Sequence, residues 1–443
     1  MSARLSRRRF LQHSAAAAAT AFAAPGILNA AIRRQELHVA CVGCKNMAFA
    51  DLSNIGSHPA VKFVGFCEID SSRFDEADKA FPGVPHFTDY REMIAQLGDS
   101  VDAIQVTTPD HTHAPAAMTA IRANKHVWVQ KPLTHTVWEA RQLRLAAEKR
   151  GLITQMGNQI HSHEAYRTGV RLIREGAIGK IKEVHSWVGI DGRNWNHVTE
   201  RPPEAPVPAG VDWNLWIGAA PMRPYAEKVY HPFNWRDWQD FGSGALGDFG
   251  CHILDPVFGA LGLTAPLTVR ADHEGTNHEV WPGPETVTYV FPGTDRTVGD
   301  KIQIIWRDGG LKPAPELAQM PADDKLPDSG SLFIGEGGTM VLPHVAMPRL
   351  YPKEKFASFP VPMEMGLSHW HVWIDAIRAG TQTSDGFHYA GPLTETVQLG
   401  NVAARLPGRE LQWDAAALKV ANVAEANPLL TKTYRKGFEV EPA

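Results

Sequence analysis

The chain has 443 residues, of which 44% are apolar and 21% charged, and a formal net charge of −4. That length predicts two or three domains of soluble globular composition. The slight acidity argues against a nucleic-acid binder, which needs a basic face.

The chain opens on Ser6-Arg7-Arg8-Arg9-Phe10-Leu11-Gln12, a twin arginine followed by Phe-Leu, and runs into an apolar, Ala-rich stretch from Ala15 to Ala24. Ala21-Phe22-Ala23 is a small-x-small cleavage pattern. Residues 1–34 are therefore expected to be a twin-arginine (Tat) export segment. The mature protein is then expected in the periplasm or another extracytoplasmic space. The apolar stretch is too short and too weak for a stable membrane span.

From Leu37 onward, apolar runs alternate with amphipathic stretches. Strands are predicted at Leu37–Val42, Val61–Cys67, Asp102–Thr107, His126–Val129 and Ile153–Met156. Helices are predicted at Phe49–Ile55, Ser71–Phe81, Tyr90–Leu97, Ala114–Ala123 and Val137–Lys149. Such alternation implies a parallel sheet with helices on both faces, whose ligands bind at the carboxyl ends of the strands. Residues 35–158 are thus assigned to a Rossmann dinucleotide-binding domain.

The character changes after Asn158. A helix is predicted at Tyr166–Glu175. Strands follow at Lys182–Ile190, Val269–Ala271, Thr286–Phe291, Lys301–Trp306 and Ser331–Gly335, with late helices at Trp370–Arg378 and Leu393–Arg405. Pro- and Gly-rich segments separate them, notably Gly309–Gly330, a length of loop that often serves as a lid or interface arm. Residues 159–443 read as an α+β domain on a mostly antiparallel sheet. Several of the thirteen Trp residues fall between Trp187 and Trp238, where aromatic faces either pack a core or stack on sugar rings. All four cysteines read as buried small residues, and Cys41-x-x-Cys44 lacks the second pair a zinc site needs.

Gly43-Cys44-Lys45-Asn46-Met47-Ala48 follows the first strand, the place of a dinucleotide fingerprint. Gly43 supplies the tight turn and Ala48 is an accepted third position. Lys45 replaces the glycine that lets backbone approach the pyrophosphate, though its charge can serve phosphate instead. Asn46 can adopt positive φ at modest cost. Glu68, about 25 residues after Gly43, is placed to bind both ribose hydroxyls and repel a 2′-phosphate. This favours NAD over NADP, with nearby Arg73 keeping NADP as the lesser option.

Thr107-Thr108-Pro109-Asp110-His111-Thr112-His113 puts polar groups at the carboxyl edge of the sheet. His111 and His113, read as loop residues, have no accompanying metal-ligand pattern, and no metal is expected. His161 and His163 form a similar pair after a later strand, lining the same cleft or lying in core or surface. Lys131, in Gln130-Lys131-Pro132, ends a strand. Asp248 and His252 are four apart, so on a helix they share a face. A carboxylate that orients an imidazole makes a proton exchanger near neutral pH.

The segment Thr108–His113, the Gln130-Lys131-Pro132 tripeptide and the Asp248-x-x-x-His252 pair, in this order and spacing, resemble the glucose–fructose oxidoreductase, inositol dehydrogenase and MocA family (Gfo/Idh/MocA). The resemblance runs from about Leu37 to Val440. The tail, through Tyr389-Ala390-Gly391-Pro392-Leu393 and Tyr434-Arg435-Lys436-Gly437, resembles the exported branch. The resemblance implies an NAD(P)-dependent oxidoreductase whose Rossmann domain joins an α/β domain with a large open sheet. Members commonly oligomerise through that sheet, so a homo-oligomer is expected. It implies that Lys131 meets the substrate hydroxyl beside the nicotinamide, with Asp248 and His252 assisting proton transfer. Cofactor contacts are expected from Gly43, Lys45, Asn46, Met47, Glu68, Thr108, Pro109, His113 and Lys131. A small carbohydrate or glycoside is expected against His161, Trp195, His231, Trp235 and Arg236.

Two departures stand out. Gln130 occupies the place of the family's usual Glu, and the phosphate turn has lost two glycines. Three functions follow. The first is oxidation or reduction of a sugar-like secondary alcohol with NAD. The second uses a tightly bound, exported NAD for redox-neutral glycoside cleavage through transient oxidation and elimination. The third is carbohydrate binding without catalysis.

Overall fold

The computed structural model describes residues 36–443 except Asn196. The export segment expected at residues 1–34 lies outside the described residues.

Strands β1 (Leu37–Val42), β2 (Val61–Cys67), β3 (His86–Phe87), β4 (Ala103–Val106), β5 (His126–Gln130) and β6 (Thr154–Gly157) form one sheet in the order β3-β2-β1-β4-β5-β6. All pairs are parallel. Every residue of β4, β5 and β6 is buried. Strands covered on both faces are mainly apolar and do not alternate, although these three also bury the polar Gln105, His126, Gln130, Thr154 and Gln155. The strand order reverses between β1 and β4, opening a crevice at their carboxyl ends.

Local signals set several helix bounds. The helix Val137–Arg150 starts at a capping box of Thr136 and Glu139 and stops at Gly151, φ 63°. The helix expected over Ser71–Phe81 is broken: Asp70 accepts from the Ser72 N–H and caps a short 3-10 turn, and the α-helix proper is Asp75–Ala80. The helix expected from Ala114 begins at Asp110. His111 and His113 therefore lie in its first turn and not in a loop. Their turn was hidden from periodicity because it is buried by other parts of the chain: both ring nitrogens of His111 face carbonyls, of Phe241 at 3.2 Å and Trp216 at 2.9 Å.

The second sheet has nine strands in the order β13-β12-β11-β7-β10-β9-β8-β14-β15. They are β7 (Ile181–Trp187), β8 (Thr268–His273), β9 (Glu285–Pro292), β10 (Lys301–Arg307), β11 (Gly330–Gly335), β12 (Thr339–Pro343), β13 (Arg349–Tyr351), β14 (Leu411–Asp414) and β15 (Lys419–Val420). Pairing is antiparallel except between β7 and β10. In β9, buried and half-buried residues alternate, the mark of one inward face. The helices Glu164–Arg174, Gly244–Leu261 and Phe387–Ala404 pack on this sheet. One apolar core runs from Val106 and Leu143 in the first domain to Val287 and Trp306 in the second.

Gly309–Gly330 is not a free arm. Ala318 and Leu326 pack on Trp187, Leu332, Val341 and Tyr351 of the second sheet. Most of the Trp-rich region is also core: Trp213, Trp216, Trp235 and Trp238 cluster with Tyr225, Tyr230 and Phe241. The helix His369–Ala379 returns to the first sheet, where Trp373, Ile374 and Ile377 join Val39, Leu52 and Trp128. Among the described residues no helix is long and apolar enough to cross a membrane.

Candidate functional site

A cleft of ≈ 390 Å³ opens at the carboxyl ends of the first sheet. From that sheet and its turns it is lined by Gly43, Lys45, Asn46, Met47, Glu68, Thr108, Pro109 and Lys131. From later in the chain come Trp195, His231, Trp235, Arg236, Asp248 and His252. Fold topology thus brings together nearly all the residues singled out in the sequence.

Two expected residues lie elsewhere. His113 is buried, with its ring nitrogens 2.8 Å from the carbonyl oxygens of Pro132 and Thr108. Burial pushes its pKa down to about 4, so it is a neutral brace for the chain after Lys131, not a cofactor contact. His161 turns to Asp255 at 2.8 Å and Ser384 at 3.0 Å instead of lining the cleft.

The turn after β1 shows why two glycines can be absent. Gly43 is at φ 96°, and a Cβ there would sit 2.1 Å from the Thr107 carbonyl oxygen, so this position must be glycine. Asn46 has φ 55° and ψ −120° and caps the next helix without a side-chain hydrogen bond. Such a conformation is strained for any residue with a Cβ. Asn46→Gly is therefore expected to raise the melting temperature, with a net gain of about 1 kcal/mol after glycine's own entropy loss. Calorimetry checks this, and an unchanged or lower melting temperature would remove strain from the account.

Lys45 does not offer a free cation to phosphate. Its ammonium is held by Asp75 at 2.6 Å and Glu76 at 3.1 Å, since the helix Asp75–Ala80 presents acids in its first turn. Glu68 accepts the backbone N–H of Cys44 at 3.2 Å and those of Ile69 and Asp70 at 3.0 and 3.3 Å. Burial raises its carboxyl and these bonds oppose the shift. A carboxylate has about four acceptor positions, so Glu68 keeps capacity for a hydroxyl.

The proton-handling cluster differs from the expected Asp248–His252 pair. Asp248 is bound by Lys131, whose Nζ donates to Oδ1 at 2.8 Å and to the Asp248 carbonyl at 2.9 Å. The Arg236 Nε adds a contact at 3.3 Å. Burial alone would raise the Asp248 carboxyl, but Lys131 and Arg236 outweigh it and hold it well below the usual carboxylate range. A carboxylate surrounded by two cations has no need of the imidazole one turn away.

His252 is oriented by Asn158 instead, at 2.5 Å from Nδ1 to Oδ1. The Asn158 amide nitrogen donates to the Cys251 carbonyl at 3.0 Å, which fixes the oxygen toward His252. Nδ1 must then carry the proton, leaving the Nε2 lone pair available. Burial holds His252 well below its usual pKa, so it is neutral.

Asn158 and Asp51 were not foreseen, and Asp110 was read only as part of the Thr107–His113 segment. Asn158 follows β6 at the carboxyl edge of the sheet, a position that marks ligand-side residues. Asp51 interrupts the apolar face Ala48, Leu52, Ile55 of its helix, and a buried acid in an apolar stripe is a signal in itself. It accepts from Thr107 Oγ1, Gln130 Nε2 and Trp370 Nε1, each at 2.9 Å. Asp110 is buried at the start of its helix, and that burial pushes its pKa up to about 7 despite a hydrogen bond from Ser243.

Comparison with known proteins agrees with this architecture. Residues 37–158 match a family model described as an oxidoreductase family, NAD-binding Rossmann fold. Residues 170–298 match the same family's C-terminal alpha/beta domain, and together the two models span more than half the chain. The scyllo-inositol 2-dehydrogenase (NADP(+)) of Bacillus subtilis is 24% identical over 247 residues, 56% of each chain. Levoglucosan dehydrogenase of Pseudarthrobacter phenanthrenivorans is 26% identical over 181 residues, 41% of this chain and 37% of that protein. The chain thus spans about half the length, or less, of these curated relatives. Among solved structures, the aldose-aldose oxidoreductase from Caulobacter crescentus complexed with glycerol superposes with a TM-score of 0.57 at 16% identity, covering 85% of this chain and 100% of the other. A WlbA dehydrogenase in complex with NADH and UDP-GlcNAcA gives 0.61 at 17% identity, covering 86% and 97%. At these identities the shared property is the fold.

Proposed function

Because the chain belongs to the Gfo/Idh/MocA oxidoreductase family, we propose that it oxidises or reduces a secondary alcohol of a sugar-like substrate, using a nicotinamide cofactor in the cleft described above. The observation that carries this is the Lys131–Asp248 ion pair beside neutral His252, facing the same cleft as the β1 turn.

The residues present fit a dinucleotide. Gly43 makes the tight turn, and the helix after it has no acid in its first turn to repel phosphate. Glu68 supports NAD over NADP. When bound, NAD supplies the acceptor for the hydride.

The protein's own groups do the rest. An ammonium has three N–H donors. Lys131 commits two to Asp248 and keeps one for a substrate oxygen. His252, with Nδ1–H on Asn158, takes the hydroxyl proton at Nε2. The Arg236 guanidinium, stacked 4.3 Å from the Trp235 ring centroid, offers further donors to the sugar. Trp195 and His231 complete that side of the cleft.

Export through residues 1–34 belongs to this proposal on the twin-arginine motif, and self-association through the second sheet on the sequence resemblance. The twin arginine also favours a second reading. A cofactor carried out of the cytoplasm must be recycled in place, so transient oxidation with redox-neutral cleavage of a glycoside follows naturally.

Protein purified from the exported fraction should release NAD in stoichiometric amount when denatured, identified by mass. Incubation with sugars or glycosides should then give NADH with an oxidised sugar, or cleavage without NADH under the second reading. Absence of nucleotide, with failure to reconstitute with NAD or NADP, would overturn both.

A further inference from the structure

We propose that His161, Asp255 and Asp385 bind a divalent cation at a site separate from the cleft. One ligand atom from each lies within 4.8 Å of the others, and no other such group occurs among the described residues.

Charge balance is the first argument. Asp255 is 3% exposed and Asp385 1%. Two carboxylates buried side by side need a cation, or a proton, to remain there. Asp255 pairs with the His161 ring at 2.8 Å and accepts from the Tyr389 hydroxyl at 2.9 Å. Burial alone would lower the His161 pKa, but Asp255 and Asp385 outweigh it and raise it to about 9. A single imidazolium therefore faces two carboxylates, and its proton would leave on metal binding. Asp385 has less. Neither of its side-chain oxygens has a hydrogen-bond partner. The His369 Nε2 lies 3.8 Å away, but it is already 2.9 Å from the Met156 carbonyl. Among the described residues no Lys or Arg forms an ion pair with either carboxylate.

The donor set is the second argument. One imidazole and two carboxylates form a mixed nitrogen–oxygen site, and a +2 ion neutralises it completely. Imidazole favours first-row metals over Mg²⁺ or Ca²⁺, so Mn²⁺ or Zn²⁺ is the chemical class expected. The Ser384 hydroxyl, 3.0 Å from His161 Nε2, stands beside the cluster. His161 is 17% exposed at its side chain, which gives an ion a way in.

The location defines the role. None of the three residues lines the cleft. His161 lies in the turn Gln159–Ser162 just after β6, and Asp385 just before the helix Phe387–Ala404. Asp255 lies on the helix Gly244–Leu261, which also carries Asp248 and His252. An ion here ties two distant parts of the chain to the helix of the proton-handling residues. It is a positioning ion, not a reacting one.

The test uses the full-length chain, stripped with a strong chelator and then equilibrated with Mn²⁺ or Zn²⁺. Metal content by mass spectrometry is expected to reach a stoichiometric value, with a rise in melting temperature. His161→Gln and Asp385→Asn are each expected to weaken binding at least 10-fold. His161→Gln alters a partly exposed side chain and keeps the test open if Asp385→Asn fails to fold. Stripped wild-type protein that takes up neither metal, with an unchanged melting temperature, would overturn the proposal in favour of a shared proton. Equal uptake by wild type and His161→Gln would overturn it too, by placing the ion elsewhere.

Discussion

Lys131→Met is expected to lower kcat by about 10²–10⁴-fold while bound NAD is retained. The two hydrogen bonds of the Lys131 ammonium both go to Asp248. Removing the ammonium deletes the donor left for the substrate oxygen and leaves Asp248 with Arg236 alone, at 3.3 Å. Lys131→Arg keeps the charge but replaces a compact donor with a planar fork, so it should recover little activity. Stability should fall as well. The Asp248 carboxyl is held below its unfolded value. Its pairing therefore stabilises the fold above about pH 4, and that contribution is lost as pH falls further. The variant's deficit should thus be seen at neutral pH and shrink in acid. Single-turnover kinetics with nucleotide content measured on the same sample decides the matter. A Lys131→Met protein within twofold of wild-type kcat would remove Lys131 from the chemistry.

The first sheet was legible because its physics is local. Strands covered on both faces are mainly apolar, as β1, β2 and β4 are, with buried polar exceptions such as Gln105 in β4 and Thr154 and Gln155 in β6. Lys131 and Glu68 were legible for a related reason, since polar residues at the carboxyl ends of such strands face the ligand crevice. The short strands β12 to β15 were not, because pairing alone defines segments that carry little periodic signal. Side-chain partnerships were the least legible. Asp248 and His252 share a helix face as spacing predicts, yet Asp248 bonds Lys131 and His252 bonds Asn158. Spacing along one helix says nothing of a lysine 117 residues away in the chain. His161 and His113 illustrate the same limit. His161 bonds Asp255 and Ser384, far along the chain, and His113, though still at the sheet edge, spends both ring nitrogens on the Thr108 and Pro132 carbonyls.

Gln130→Glu is expected to destabilise the protein by about 3–5 kcal/mol at pH 7, although it restores the residue most common in the family. The Gln130 amide nitrogen donates to Asp51 at 2.9 Å, and its oxygen accepts the Lys131 backbone N–H at 2.9 Å. Glutamate keeps the second bond but turns the first into two carboxylates face to face in a buried site. Burial already pushes Asp51 up to about 6 against the hydrogen bonds that lower it. Because this folded value lies above the unfolded one, the wild-type protein should lose stability as pH rises between about 4 and 6. In Gln130→Glu one carboxyl of the pair should hold its proton to higher pH, so the deficit should be small near pH 5 and grow toward pH 8. Asp51→Asn combined with Gln130→Glu exchanges donor and acceptor and should recover most of the loss. Melting curves of the four proteins across this pH range form a double-mutant cycle. Equal stability of Gln130→Glu and wild type at pH 8 would show that the two sites do not share a charge. The coupling matters for function. If one carboxylate serves this spot from either position, Gln130 is no mark of a lost activity. The buried charge sits at Asp51 on the helix facing the strand that carries Lys131, and the Gln130 oxygen holds the Lys131 backbone N–H.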